Sequence, residues 1–293
     1  WVKALALDDA GNLYIGGHFN EVSGIAASGI AKWNLATSTW SALGEGVTNT
    51  FGYVYALVWD TNANSGNGLL YVGGQFLCAA RPCFVSADYS NNIAAWNGTS
   101  WSALGTGMQG PGSTSVQALA IGAGGLLYAG GKFTDADGTA ANNIAAWNGA
   151  NWSALHVGTG GDGSGMVKSL AWDGTDTLYV GGMFTTAGGS TKRHIAAWNG
   201  SSWSALGSGN LLNGLPPGAG FGLGDVYALA WNNTTGTLYV GGRFTTVGPL
   251  TSQYIARWTG IGWEPISTNS NVNGMDGFVW SLALDTTGTL FVG

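Results

Sequence analysis

The chain has 293 residues, a net charge of −6, and only 9 Lys and Arg against 15 Asp and Glu. That balance leaves little to neutralise a phosphate backbone or hold an anionic membrane surface, so nucleic acid is not an expected partner. No apolar run approaches the roughly 20 residues of a bilayer-spanning helix, and no membrane insertion is expected. Charged residues make up 8% of the chain, against roughly 25% in an ordinary soluble domain. Solubility must then come from Ser, Thr, Asn and backbone amides, a habit of secreted all-β proteins that predicts an extracellular or cell-surface location. The start at Trp1 without Met reads as a processed or partial chain.

The sequence is self-similar from end to end. The phrase Val-x-Ala-Leu-Ala, Asp-x-x-Gly, Leu-Tyr-Val-Gly-Gly-x-Phe, Ile-Ala-Ala-Trp-Asn-Gly, x-Trp-Ser-Ala-Leu-Gly recurs at intervals of 51 to 63 residues. Its tyrosine falls at Tyr14, Tyr71, Tyr128, Tyr179 and Tyr239, with Phe291 in the sixth slot. A first tryptophan follows at Trp33, Trp96, Trp147, Trp198 and Trp258, and a second at Trp40, Trp101, Trp152, Trp203 and Trp263. We number the repeats I to VI, at approximately 1–53, 54–115, 116–166, 167–225, 226–278 and, in part, 279–293. They read as one array and a single domain.

Each repeat holds four short apolar segments between turn residues, the mark of a four-stranded antiparallel unit. In repeat IV, strand A is predicted at Val167 to Trp172, strand B at Leu178 to Gly182 and strand C at Ile195 to Trp198. Asn199-Gly200 reads as a two-residue hairpin turn leading into strand D at Trp203 to Leu206. All four strands are apolar on both faces, as sheets sandwiched between neighbours should be. Radially arranged sheets of this kind make a β-propeller. Five full repeats plus strands A and B of a sixth, within Val279 to Gly293, predict six blades, the last lacking its outer strands. Such a blade would leave an apolar edge open to strand addition by another chain.

The double glycine followed by two spaced aromatics, in Tyr-Val-Gly-Gly and then Ile-Ala-Ala-Trp-Asn-Gly-x-x-Trp-Ser-Ala-Leu, resembles the kelch repeat of the galactose oxidase central domain. The closest likeness is to kelch-like repeats of secreted and surface bacterial proteins. It departs from animal kelch repeats in placing Trp in the first aromatic slot. The resemblance implies the propeller fold. It does not select a function, because such propellers serve as oxidases, lectins and adaptors.

The ten repeated tryptophans are expected in the packing between blades. Trp59, Trp172 and Trp231 share a slot with Leu7, Ile121 and Leu284 and read as core too. Function is sought where repeats disagree. The A-to-B and C-to-D connections are short. The B-to-C and D-to-A connections are longer and share one face, including 84–92, 105–115 and 207–225 with Pro216-Pro217.

Two variable columns point to that face. One is the second residue of strand A: Lys3, Tyr55, Gln117, Lys168, Tyr227 and Trp280. The other follows Gly-Gly: His18, Gln75, Lys132, Met183 and Arg243. Rings interleaved with amides and ammonium groups suit a polar ligand such as a glycan. The competing reading is a solvated rim.

Catalytic chemistry finds little support. His18, His156 and His194 occupy three different places in the repeat, no nucleophile motif is present, and no pair of acids stands out. No catalytic residue, metal or cofactor is assigned. Asp60-Thr61-Asn62-Ala63-Asn64-Ser65 resembles the start of a calcium loop, but Ser65 replaces the required Gly and Tyr71 the required Glu, so an expanded A-to-B turn explains it better. Cys78 and Cys83 suggest a local disulfide, with free thiols next and a metal site third. Five sequons, at Asn97, Asn151, Asn199, Asn232 and Asn233, lie in or beside A-to-B and C-to-D turns.

The sequence is therefore read as a non-catalytic surface module that binds other chains or assembles with itself. A lectin is the first alternative and an enzyme the second.

Overall fold

The computed structural model describes residues 1–48, 52–79, 89–161, 165–207, 224–247, 250–269 and 272–293. Repeats I to V each form a four-stranded antiparallel sheet in the order A-B-C-D. In repeat II, for example, the strands are Tyr53–Asp60, Leu69–Gln75, Ile93–Trp96 and Trp101–Ala103. Repeat VI contributes a two-stranded sheet, Leu282–Leu284 with Leu290–Val292. The repeats mark no boundary, but packing divides the chain into two compact units, Trp1–Ala154 and Leu155–Gly293. The first holds sheets I to III and the second sheets IV to VI.

Burial explains why the inner strands are apolar throughout. In repeat IV every residue of strand B, Leu178–Gly182, and of strand C, Ile195–Trp198, is buried. Strand D is an edge, and it differs from the expectation of two buried faces. Its residues in repeats I and II are half-buried or exposed. In repeat IV it ends at Ser204 rather than Leu206.

The C-to-D turn also differs from the two-residue reading. Trp198 pairs with Trp203, so 199–202 form a four-residue turn. Asn199 sets it with its side chain, whose Oδ1 accepts from the backbone N–H of Ser201 at 3.1 Å and of Ser202 at 2.9 Å. An asparagine carbonyl that mimics the backbone in this way fixes the turn locally.

The double glycine answers two close approaches. A Cβ on Gly73 would stand 2.5 Å from Val116 Cγ1 of the next sheet, and Gly16, Gly181 and Gly241 face Val54, Val226 and Val279 in the same way. The second glycine of each pair lies against a strand A carbonyl, as Gly74 does against that of Tyr53. Strand A bulges just after that carbonyl. Val2 pairs with Gly17 and Ala4 with Gly16, which leaves Lys3 without an opposite number. The same skip recurs at Tyr55, Gln117, Lys168 and Tyr227.

One hydrogen bond repeats within each unit. The indole N–H of the second tryptophan donates to the carbonyl of the leucine that follows strand D of the preceding repeat. The pairs are Trp101 to Leu43 (2.8 Å) and Trp152 to Leu104 (2.9 Å) in the first unit, and Trp203 to Leu155 (3.0 Å) and Trp263 to Leu206 (3.1 Å) in the second. The two tryptophans of each repeat also touch, with centroids 5.1 to 5.4 Å apart and planes tilted 46 to 56°. None of the ten is exposed.

The long connections are not the plain variable loops expected from sequence. Met108–Gln109, after strand D of repeat II, pairs with Asp135–Ala136, which pairs in turn with Thr139–Ala140 between strands B and C of repeat III. Val47–Thr48 with Cys78–Ala79 repeats the first pairing, and Thr159–Gly160 with Thr186–Ala187 and Ser190–Thr191 repeats both. These small sheets cross from one repeat to the next, on the face where both long connections emerge. Of the loops singled out from sequence, 84–88 and 208–223, with Pro216-Pro217, lie outside the described residues.

Two substitutions probe these contacts. Gly73→Ala should cost about 1–3 kcal/mol through overpacking against Val116. Trp152→Phe should cost about 1–2 kcal/mol by leaving the buried Leu104 carbonyl without its donor. Both are read as lower urea midpoints, and a midpoint equal to wild type would remove the corresponding contact from the account.

Candidate functional site

The two variable columns meet at the bulge. Strand pairing sets Asp225 opposite Arg243, Tyr53 opposite Gln75 and Ser115 opposite Lys132, next to the unpaired Tyr227, Tyr55 and Gln117. The bulge thus places a residue of each column side by side on the face of the long connections. The chemistry that results differs from repeat to repeat.

In the first unit the residues form a chain of rings. His18 stacks on Tyr53 at 4.3 Å, Tyr53 stacks on Tyr55 at 5.7 Å, and Lys3 reaches 6.0 Å from the ring centre of Trp1. Gln117 donates to Ser115 Oγ at 3.0 Å. Gln75 lines a cavity of about 480 Å³ with Phe76, Asn91, Gln109 and Thr114. This pocket is polar, and Asn91 and Gln109 donate to Thr106 across its side.

In the second unit the columns build a denser cluster around Asp225, which is 3% exposed. Its Oδ2 accepts from Arg243 at 2.9 Å and from the Tyr227 hydroxyl at 3.2 Å. Tyr227 stacks on Trp280 with centroids 4.5 Å apart and planes 1° from parallel. Phe278 meets Trp280 and Tyr254 edge-on, and Arg243 lies 6.0 Å from its ring centre. Trp280 is nevertheless 63% exposed and Phe278 44%. Large rings fixed by their neighbours yet open to solvent form a preorganised contact surface.

Two groups under this platform are electrostatically displaced. Burial holds the Lys168 ammonium below the usual lysine range, against the opposing pull of Asp225. Burial likewise pushes His194 below the usual histidine value, and Asp225 only partly offsets it. His194 Nδ1 is buried without a hydrogen bond, as is Arg243 Nε.

A third column, absent from the sequence reading, marks the same place. The residue before strand C takes a left-handed φ in every full repeat: Gly29, Asn92, Asn143, His194 and Tyr254, at φ 62 to 73°. Two hydrogen bonds impose it. In repeat IV His194 donates its N–H to Phe184 O and accepts from the N–H of Gly182, and repeat V does the same with Tyr254, Phe244 and Gly242. Glycine and asparagine suit this conformation, whereas bulky side chains cost about 1–2 kcal/mol there. The two departures, His194 and Tyr254, both belong to the cluster around Asp225. The signal was present in the alignment of the repeats and lay one residue before the Ile-Ala phrase.

No family model and no curated protein matches the sequence. Among solved structures, the WD40 repeats of RRP9 superpose with a TM-score of 0.50 at 14% identity, over 86% of this chain. The chain spans 63% of the length of that structure. The fold is a β-propeller. Each four-stranded sheet is therefore a blade, and the cluster sits where strands A and B of blade V meet the segment leading into repeat VI.

Other predicted residues fall elsewhere. Cys78 is buried and disulfide-bonded, and Cys83 lies outside the described residues. Asn97, Asn151, Asn199 and Asn233 are exposed. Asn232 is buried with its Oδ1 accepting from the N–H groups of Thr234 and Thr235, so Asn233 is the accessible asparagine of that overlapping pair. Among the described residues no group of three His, Cys, Asp or Glu could hold a metal.

His194→Asn tests the strained column with two readouts. It should raise stability by about 1 kcal/mol, because asparagine tolerates the left-handed conformation. The depressed folded-state pKa of His194 means that the unfolded chain binds the proton first, so stability is lost as pH falls through and below the ordinary histidine range. The thermal midpoint of wild type should accordingly drop between about pH 7 and 5, and the variant should flatten that drop.

Proposed function

We propose that the protein is a non-catalytic interaction module, a kelch-like propeller working outside the cell or at its surface. Its recognition surface is the platform of Tyr227, Phe278 and Trp280 over the Asp225–Arg243 ion pair. The observation that carries this reading is the exposed parallel stack of Trp280 on Tyr227, held from below by a buried carboxylate. Trp, Tyr and Arg are the residues that dominate binding hot spots, since they offer large rigid area at low entropic cost.

The chemistry of the cluster supports binding over catalysis. Asp225 is committed to Arg243 and Tyr227. The double glycine, with its two close approaches and its following aromatics, supports the kelch-like assignment. The disulfide at Cys78, the scarcity of charge and the exposed sequons support an oxidising, extracellular setting. Val2, Leu5 and Leu7 in strand A of repeat I and Phe291 in repeat VI are all more than half exposed, which supports contact with other chains, including further copies.

A glycan is the second reading, favoured by the ring face of Trp280 and the amide-lined cavity at Gln75. Light scattering over a range of concentrations separates the two. Assembly that grows with concentration, and that Trp280→Ala weakens about tenfold or more, is the expected result. A monomer at every concentration whose tryptophan emission responds to a saccharide would replace it with the carbohydrate reading.

A further inference from the structure

The C-to-D turns of blades II, III and IV share a chemistry that the recognition surface does not use. Each opens on an Asn-Gly step, at Asn97-Gly98, Asn148-Gly149 and Asn199-Gly200. All of these residues are exposed. In each turn the asparagine side chain folds forward over the peptides that follow it. Asn97 Oδ1 accepts from the N–H groups of Thr99 at 3.0 Å and Ser100 at 2.8 Å. Asn148 Oδ1 accepts from Ala150 at 3.0 Å and Asn151 at 2.8 Å, and Asn199 repeats the pattern with Ser201 and Ser202.

The glycine between donor and acceptor is unencumbered. Gly98, Gly149 and Gly200 have φ of 98, 94 and 89°, and the space around a Cβ at each is empty to 4 Å. Among the described residues none of their N–H groups makes a hydrogen bond. An unpaired amide nitrogen thus follows directly on a carboxamide whose oxygen is held by two donors. Those donors point at the atom that gains negative charge when the carboxamide carbon is attacked, the arrangement of an oxyanion hole.

Asn67-Gly68, in the A-to-B turn of blade II, has the same two residues in other surroundings. Asn67 is exposed as well. Its Nδ2 donates to Asn64 O at 3.0 Å, and among the described residues nothing donates to its Oδ1. Gly68 N–H donates to Ala63 O at 3.1 Å, and a Cβ on Gly68 would stand 1.9 Å from the Trp59 ring. The nitrogen that would attack is therefore tied and crowded.

We propose that Asn97, Asn148 and Asn199 are sites of self-catalysed deamidation through a cyclic imide, and that the fold protects Asn67. The glycine amide nitrogen gives its proton to water and bonds to the asparagine Cγ. The Cγ–Nδ2 bond breaks, and ammonia leaves with a proton returned by water. A water molecule then opens the ring at either carbonyl, giving aspartate or the isomer whose main chain runs through the β-carbon. Each event exchanges ammonia for water and adds one negative charge. Aspartate keeps the turn, as Asp173 shows by accepting in the same way from the N–H groups of Thr175 and Asp176. The isomer lengthens the main chain by a methylene and gives up that cap. At Asn97 and Asn199 the reaction also removes the acceptor amide of a sequon. These sites are independent of the platform at Trp280.

Incubation of the native full chain in heavy-oxygen water, followed by peptide mass mapping, tests the assignment, with the chain unfolded in guanidinium chloride alongside. The three turn sites should take up label in the native chain at least as fast as in the unfolded one, with both aspartate and isoaspartate recovered. Asn67 should react at least about tenfold more slowly in the native chain than in the unfolded one, because Gly68 must first leave its hydrogen bond to Ala63. Gly98→Ala should suppress labelling at Asn97 and leave Asn148 and Asn199 unchanged. Turn sites that react more slowly when native than when unfolded, native Asn67 labelled as fast as they are, or undiminished labelling of Asn97 in Gly98→Ala would each overturn the proposal.

Discussion

The structure depends on the contact between one blade and the next. A four-stranded sheet with both inner faces apolar cannot be stable alone, and here blades II, III and V are each tied to the preceding blade at two levels. Near the inner strands, valines of the next strand A fit against backbone that carries no Cβ at Gly16, Gly73, Gly181 and Gly241. At the outer edge, an indole N–H closes on the leucine carbonyl that ends the preceding strand D. The apolar packing is non-directional, while the hydrogen bond fixes register, because a buried donor that misses its acceptor loses its water without replacement. The repeated tryptophans are therefore structural, despite their resemblance to a row of sugar platforms.

Once that contact is fixed, the bulge becomes the source of variety. Strand A of blades I to V carries one residue more than its partner, and the second glycine of strand B admits the carbonyl just before the bulge. The extra residue is free of ladder constraints, so its side chain is available for other chemistry. Repeat III uses it for a glutamine bonded to a nearby serine, and repeat V for a tyrosine that stacks on tryptophan and bonds a buried aspartate. The same skeleton thereby supports a quiet rim in one blade and a dense aromatic cluster in another. Strain follows the cluster: the left-handed position that glycine or asparagine fills elsewhere is given to His194 and Tyr254. A repeat array offers an internal control for such departures, and both lie where Asp225 is buried.

Legibility varied with the range of the interaction. The strands, the tyrosine and tryptophan positions and the A-to-B turns could be read because each is set by residues a few positions apart. The variable columns drew attention to Tyr227, Trp280 and Arg243, but nothing local linked them to Asp225, which pairs across the sheet. The turn at Asn199 was misread because its side chain, rather than its backbone alone, completes it. The long connections were read as loops because strands of two residues carry no periodicity. Their pairing, as in Met108–Gln109 with Asp135–Ala136, joins segments of different repeats.

The sequence by itself determined that this is an all-β chain of repeated four-stranded units, because alternation, turn chemistry and the tryptophan phrase are local and are written five times over. It also determined where the repeats differ, Ile121 against Trp59 and Trp231 among them. Only the tertiary structure decided what those differences do. Whether a missing indole is absorbed by its neighbours depends on how closely two sheets approach, and beside Ile121 the ring of Tyr71 stays buried. Whether an aspartate is a solvated turn residue like Asp9 or the buried anchor of an aromatic platform like Asp225 depends on which strands stand opposite it. Those distances are set by packing between residues some fifty positions apart in the chain, where local sequence preference has no reach.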